Sequence, residues 1–435
     1  SLSGGEALEG LSNAAVLGSN IIVIVNDNEM SIAENHGGLY TNLRLLRETE
    51  GRAECNMFKA LGFDYRYVGE GNSVSRMIDV LREVKDAAKP TLIHVRTLKG
   101  KGYKFAEENK EKWHWNVPFD IASGESKVDM SGENYNDITF DFLNEKIKKD
   151  KDVVILTAGT PGAFSLTPER RRQLGQNYVD VGIAEEHALS MACGMAKQGL
   201  IPAVAIYSTF LQRAFDMLLH DLALLQLHVV LGVDRAGLVG EDGRTHHGMF
   251  DVGYLRQVPG LKIYCPASFA ELRVMLREAV LTDTCPVAVR YPRGGEGAYR
   301  ENAEETRLKE GTSCTVITYG TMINAVLEAA EAAEKDGLSA EILKLRTIAP
   351  IDWAAIEASC RKTGRVLVVE ETSDRGCVAN DIFSHLAQAN ISCVCAKQNL
   401  GASFIGHGAM QDLYELTGLN ANALLGRIRE VCHEA

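Results

Sequence analysis

The sequence predicts an α/β protein of three consecutive doubly wound α/β domains with mainly parallel sheets. Three observations carry that expectation. At 435 residues the chain is too long for one core. Short apolar runs alternate with longer helical patterns along its whole length. No repeat at the period of about 20–50 residues that marks solenoids interrupts the alternation, and no low-complexity tract does.

The elements follow in order. The first domain is predicted over residues 1–123, with a strand at 21–26, a helix at 74–87 and a strand at 91–97. Residues 98–135 are rich in Lys, Glu, Trp, Gly and Ser and show no clear period; they read as loop, with the linker proper at 124–135. The second domain is predicted over 136–305, with strands at 153–156, 203–206, 228–233 and 287–290. The third, 306–435, opens with a strand at 314–319, then a helix at 324–335 and strands at 339–344 and 365–370. In open sheets of this kind the chemistry lies beyond the carboxyl ends of the strands.

Composition narrows the partners. The 46 Lys and Arg against 58 Asp and Glu leave a net charge of −12. That disfavours nucleic acid and anionic membranes, though a local arginine cluster still permits an anionic substrate. The longest apolar runs are far too short to span a bilayer, and no signal-peptide pattern is visible. Ten cysteines without a CxxC pair read as reduced thiols of a cytoplasmic protein. Cys393 and Cys395 alternate in a strand-like stretch and are expected to share one buried face.

Three groups of residues carry chemistry. Ser1 to Leu11 read as a glycine-rich turn feeding a helix, whose free N–H groups suit a diphosphate. The polar end of the first strand, Asp27-Asn28-Glu29-Met30, offers oxygens that suit Mg²⁺. Read alone, both are better described as a capped turn and a polar strand end. In the second group, Glu185, Glu186 and His187 sit in a mostly apolar stretch leading into a helix over 188–196. A Glu against that wall would have its pKa raised and could share a proton; for Glu186 the reading is a helix start favoured by the dipole. In the third, Arg213, Arg235 and Arg293 each follow a strand that reads as central. One such Arg is ordinarily a surface ion pair, but several at one sheet edge suggest an anion site. His246, among glycines and an Asp, reads as an imidazole presented by a loop, with a structural histidine as the alternative.

Together these strings resemble the 1-deoxy-D-xylulose-5-phosphate synthases of the transketolase superfamily over nearly the whole chain. The resemblance rests on NDNEMSI at 26–32, DVGIAEEHA at 180–188, AIYSTFLQRAFD at 205–216, DRAGLVGEDGRTHHG at 234–248 and AVRYPRG at 288–294. It implies the thiamine-diphosphate-binding fold twice, then the transketolase C-terminal domain, which mainly supports dimerisation. It also implies thiamine diphosphate and Mg²⁺ as cofactors, the former between the first two domains. Asn28 by its side chain and Met30 by its carbonyl match the metal ligands, and Ser1 matches the start of the helix under the diphosphate. Glu185 matches the carboxylate that bonds the aminopyrimidine ring, and Phe210 the ring stacked on it. Tyr207, Arg235 and Arg293, with Arg213 close by, match the residues that bind the phosphate of D-glyceraldehyde 3-phosphate. Asp242, His246 and His114 match polar groups near the reacting carbons, and Lys99 a lysine lining the site.

The implied reaction joins pyruvate to that acceptor with loss of CO₂ and gives 1-deoxy-D-xylulose 5-phosphate, a precursor of isoprenoids, thiamine and pyridoxal, in a homodimer. The family's cofactor motif opens with Gly-Asp-Gly, whose Asp is a metal ligand, and the sequence begins at the residue that should follow. The stretch 32–58 is also short for the family, and Glu186 stands where Gln is usual. The alternatives are another transketolase-superfamily enzyme, which would lack the 234–248 run in this form, and an inactive or split-subunit paralogue, which the absent Asp suggests.

Overall fold

The computed structural model describes residues 2–129, 131–301 and 304–433. The chain forms two compact units. One comprises Ser1–Ser131, Ala158–Thr160 and Asp180–Ala184; the other comprises Gly132–Thr157, Pro161–Val179 and Glu185–Ala435.

In the first unit, β1 (Ile22–Asp27), β2 (Asp64–Val68) and β3 (Thr91–Arg96) form a parallel sheet in the order β1-β3-β2. The central strand β3 is buried from Thr91 through Val95, as a strand covered on both faces should be. The helix Val74–Val84 starts at Ser73, whose hydroxyl accepts from Arg76 N–H at 3.3 Å. It ends before the predicted residue 87, where the chain turns ahead of Pro90 to enter β3. The stretch expected to be plain loop has structure of its own. It contains the helix Lys104–Glu108 and a 3₁₀ turn at Lys112–His114. Its core is aromatic, with Trp113 edge-on to Tyr103 at 4.9 Å and to Phe119 at 4.7 Å. A cluster closed by rings at irregular spacing leaves no period in the sequence.

The second unit holds two sheets. The larger contains β4 (Val153–Thr157), β5 (Tyr178–Asp180), β6 (Ile201–Tyr207), β7 (Val230–Asp234), β8 (Lys262–Tyr264) and β9 (Val287–Arg290). The smaller contains β10 (Arg307–Lys309), β11 (Cys314–Tyr319), β12 (Ala340–Leu345), β14 (Arg365–Val369) and β15 (Val394–Gln398), while β13 (Thr347–Ala349) crosses to the edge of the larger. Their orders are β13-β8-β9-β7-β6-β4-β5 and β10-β12-β11-β14-β15. The edge strands β10 and β13 pair antiparallel, and the central pairs are parallel. One apolar core runs through both sheets, holding Leu231 and Ile263 with Ile317 and Val366. The mainly parallel α/β architecture is therefore as the sequence predicts. The expectation for Cys393 and Cys395 is corrected: β15 is an edge strand, so Cys395 is exposed and Cys393 only half-buried.

The two sheets are also joined by charge. Lys344 on β12 and Glu271 on the helix Phe269–Leu281 are fully buried and pair at 2.6 Å. Tyr299 Oη donates to Glu271 at 3.0 Å and Ala267 N–H at 2.9 Å, so the carboxylate is satisfied on both oxygens. Removing one member of such a pair strands the other in a dry interior. Lys344→Ala is expected to destabilise the protein by about 3–5 kcal/mol, whereas Lys344→Met combined with Glu271→Leu should cost far less. Urea denaturation followed by circular dichroism measures both; an unchanged midpoint for Lys344→Ala would show that the pair carries no structural weight.

Candidate active site

In the second unit, β6, β7 and β9 are adjacent and parallel, so their carboxyl ends meet at one edge. Tyr207 ends β6, Arg235 follows β7 and Arg293 follows β9. The Arg235 guanidinium lies over the Tyr207 ring at 3.7 Å. Arg293 Nη1 reaches Asp242 Oδ2 at 3.0 Å, and Arg235 Nε approaches the same oxygen at 3.6 Å. Asp242 thus places an anionic oxygen against two guanidinium groups. Burial pushes the Tyr207 phenol up to about 12, so it stands as a neutral donor. Phe210 lies between Tyr207, at 5.4 Å, and His246, edge-on at 5.5 Å. Burial pulls the His246 imidazole below its ordinary pKa, with Asp242 opposing, and Thr245 Oγ1 lies 2.9 Å from its Nδ1.

The backbone here is strained. Arg235 is in the left-handed region at φ 61°. Its side chain is held by Asp234 at 2.6 Å, and Asp234 in turn accepts from Asn136 Nδ2 at 2.9 Å. Asn136 also accepts from Phe164 N–H at 3.0 Å. Gly248 is obligatory: a Cβ there would stand 2.2 Å from the Arg235 carbonyl. Sequence reasoning passed over Asp234 and Asn136 as functional supports. Asn136 lies at the start of a helix far away in the chain, and nothing in its neighbours signals the contact.

Glu185 and Glu186 form the first turn of the helix Glu185–Lys197, which begins earlier than predicted because both carboxylates favour its amino end. Glu185 is 3% exposed. Arg213 Nη1 donates to Glu185 Oε2 at 2.6 Å and Nη2 to Glu186 Oε1 at 3.3 Å. Burial pushes the Glu185 carboxyl above its ordinary range, while its backbone bond and Arg213 pull the other way without cancelling it. Arg213 is therefore bound to these two carboxylates, apart from the pair of arginines on Asp242.

In the first unit, a cavity of about 100 Å³ is lined by Leu2, Asn26 to Ser31, Asn35 and Tyr40, among others. Asn28 Oδ1 accepts from Met30 N–H at 3.1 Å, and Asp27 Oδ1 from Glu29 N–H at 3.2 Å, bending the strand end around the cavity. Asp27 is fixed by Arg47 at 2.5 Å and by His94 Nε2 at 2.9 Å. The buried Asn35 Oδ1 has no hydrogen-bond partner. Oxygens gathered with one acceptor unused suit a hard cation such as Mg²⁺, although no cluster of three His, Cys, Asp or Glu side chains able to hold a metal occurs among the described residues. Lys99 Nζ donates to the Ser31 carbonyl at 2.5 Å, and burial lowers its pKa. Burial and then the Lys99 charge lower that of His114. Ser1 lies outside the described residues.

Residues 134–295 match the family description "Transketolase, pyrimidine binding domain", residues 304–424 "Transketolase, C-terminal domain", and residues 1–55 and 49–97 "1-deoxy-D-xylulose-5-phosphate synthase". Among curated proteins, the 1-deoxy-D-xylulose-5-phosphate synthase of Chlorobium phaeovibrioides is 37% identical over 478 residues, covering 99% of this chain and 75% of the relative. That of Chlorobium luteolum is 38% identical over 476 residues with the same coverage. Both spans exceed the 435 residues of this chain, so the relatives carry residues with no counterpart in it. Among solved structures, transketolase from Campylobacter jejuni shares the fold at a TM-score of 0.60 and 19% identity, covering 98% of this chain and 75% of that one. A split-gene transketolase, an inactive β4 tetramer, does so at 0.61 and 24%, covering 69% and 99%. With identity above 30% across three quarters of full-length relatives, the chain belongs to the 1-deoxy-D-xylulose-5-phosphate synthase family.

Proposed function

We propose that this protein is a transferase that condenses pyruvate with D-glyceraldehyde 3-phosphate, with loss of CO₂, to give 1-deoxy-D-xylulose 5-phosphate, using thiamine diphosphate and Mg²⁺. The observation that carries the reading is the buried Glu185 carboxyl with its raised pKa, in a chain that shares its family's motifs. Thiamine diphosphate supplies the carbanion chemistry that side chains lack. Glu185 holds and returns a proton at the aminopyrimidine ring, a task suited to a buried carboxyl whose pKa is raised. Phe210 gives that ring an apolar face.

Asn28, through its side-chain oxygen, and Met30, through its carbonyl, would hold Mg²⁺. Arg235 and Arg293 bind the acceptor phosphate, and Tyr207 donates to it. A carboxylate oxygen of Asp242 lies against both guanidiniums, which supports this reading. Asp242 and His246 orient the acceptor's hydroxyl and aldehyde oxygens, and Lys99 and His114 keep the polar roles that the family resemblance gives them. Arg213 favours the charged form of Glu185 against the effect of burial. The same family reading gives a cytoplasmic homodimer. The exposed Phe250 and Phe404, packed edge-on at 5.8 Å, are the kind of apolar patch a second subunit covers. Among the described residues no helix is long and apolar enough to cross a membrane.

Two substitutions separate the roles. Glu185→Gln should leave the fold and substrate KM values near wild type and lower kcat about 100-fold or more; steady-state formation of product from both substrates measures it, and near-normal turnover would remove Glu185 from the mechanism. Arg293→Ala should raise KM for D-glyceraldehyde 3-phosphate with an effect of ~1.5–3 kcal/mol, leaving KM for pyruvate unchanged. A rise in the pyruvate KM instead would place Arg293 at the other substrate.

A further inference from the structure

The loop between β7 and Met249 presents Arg235, Asp242 and His246, yet it is rich in glycine and left-handed at Arg235, Gly237, Gly240 and Gly243. Such a segment has little conformational preference of its own, and its shape comes from groups that reach it from residues 304–424. Glu371, just past β14, accepts from Leu238 N–H at 2.9 Å and from Tyr414 Oη at 3.1 Å. His247 accepts from Val239 N–H at Nδ1, 3.1 Å, and donates from Nε2 to the Gly406 carbonyl at 2.8 Å. These two bonds define the neutral ring with its proton on Nε2. At the far end, the Met249 carbonyl accepts from Ser373 N–H at 2.8 Å and Thr372 Oγ1 at 2.9 Å. Gly237 and Gly248 exchange two backbone bonds, at 3.0 and 2.7 Å, which close the base of the loop. Glu371, His247, Thr372 and Ser373 are all buried, and a Cβ on Gly237 would stand 2.5 Å from the Glu371 carboxyl carbon.

We propose that Glu371 and His247 are positioning residues through which the C-terminal lobe sets the acceptor-phosphate seat. Neither belongs to the proposed set of substrate-contacting groups. Glu371 fixes the first turn of the loop, and His247 pins its two limbs to each other and to the segment around Gly406. The seat depends on that placement, because Asp242 meets Arg293 at 3.0 Å and Arg235 at 3.6 Å, and a shift of an ångström takes such bonds out of range. Loosening the grip therefore acts first on recognition of the phosphate. The inference rests on the reading of Arg235 and Arg293 as phosphate ligands.

The test compares D-glyceraldehyde 3-phosphate with unphosphorylated D-glyceraldehyde as acceptor in wild type, Glu371→Ala, Glu371→Gln and His247→Ala. Glu371→Ala and His247→Ala are expected to lower kcat/KM for the phosphorylated acceptor on the order of tenfold, the scale of a buried donor left without its partner. The loss should lie mainly in KM and leave the unphosphorylated acceptor and the pyruvate KM nearly unchanged. Glu371→Gln keeps an oxygen for Leu238 N–H and should recover most of the loss, and it also serves if the alanine variant does not fold. Equal losses for both acceptors in a wild-type background that discriminates between them overturn the positioning role alone. A wild-type protein indifferent to the phosphate overturns the seat itself, and this inference with it.

Discussion

The chemistry proposed for this molecule depends on one carboxyl group kept out of water at the start of a helix. Glu185 is buried with a single guanidinium against it. Burial favours the neutral acid, while Arg213 and the free N–H groups of the helix favour the anion. Burial outweighs them, so this carboxyl holds a proton more readily than an exposed glutamate does. Either influence alone would make a poor proton carrier: an apolar pocket would hold the acid neutral, and an exposed ion pair would hold it charged.

The fold provides the same economy at the neighbouring strand ends. Parallel pairing of β6, β7 and β9 brings residues far apart in the chain to one edge, and the strained backbone at Arg235 aims its side chain across Tyr207. The strain persists because Asp234, Asn136 and the close approach of Gly248 surround it. The C-terminal sheet adds the outer restraint through Glu371 and His247. A part of the chain that reads as a supporting domain thereby bears on the site.

Most of the longer strands were legible because their apolar runs are bounded by turn residues; β9 and β11 fall where the pattern puts them, and β6 and β7 differ by one or two residues at their ends, whereas β2 was missed. The short strands β5, β8, β10 and β13 were not, since three residues carry no period. The site motifs were legible as strings, but their partners were not. The Glu185–Arg213 pair and the grip of Glu371 on Leu238 are contacts between distant segments. The buried Lys344–Glu271 pair runs against the composition of a core, and only the fold shows why each charge is tolerated. Cys395 was misjudged for the converse reason: alternation places two residues on one face but does not say whether that face is covered.

The most direct test of the central claim is a carbon-13 NMR titration of the Glu185 side-chain carboxyl, assigned by comparison with Glu185→Gln, before and after addition of thiamine diphosphate and Mg²⁺. The account predicts an apparent pKa above that of the exposed glutamates and a change in the signal when the cofactor is added. A carboxyl that titrates with the exposed glutamates and does not respond to the cofactor would contradict it.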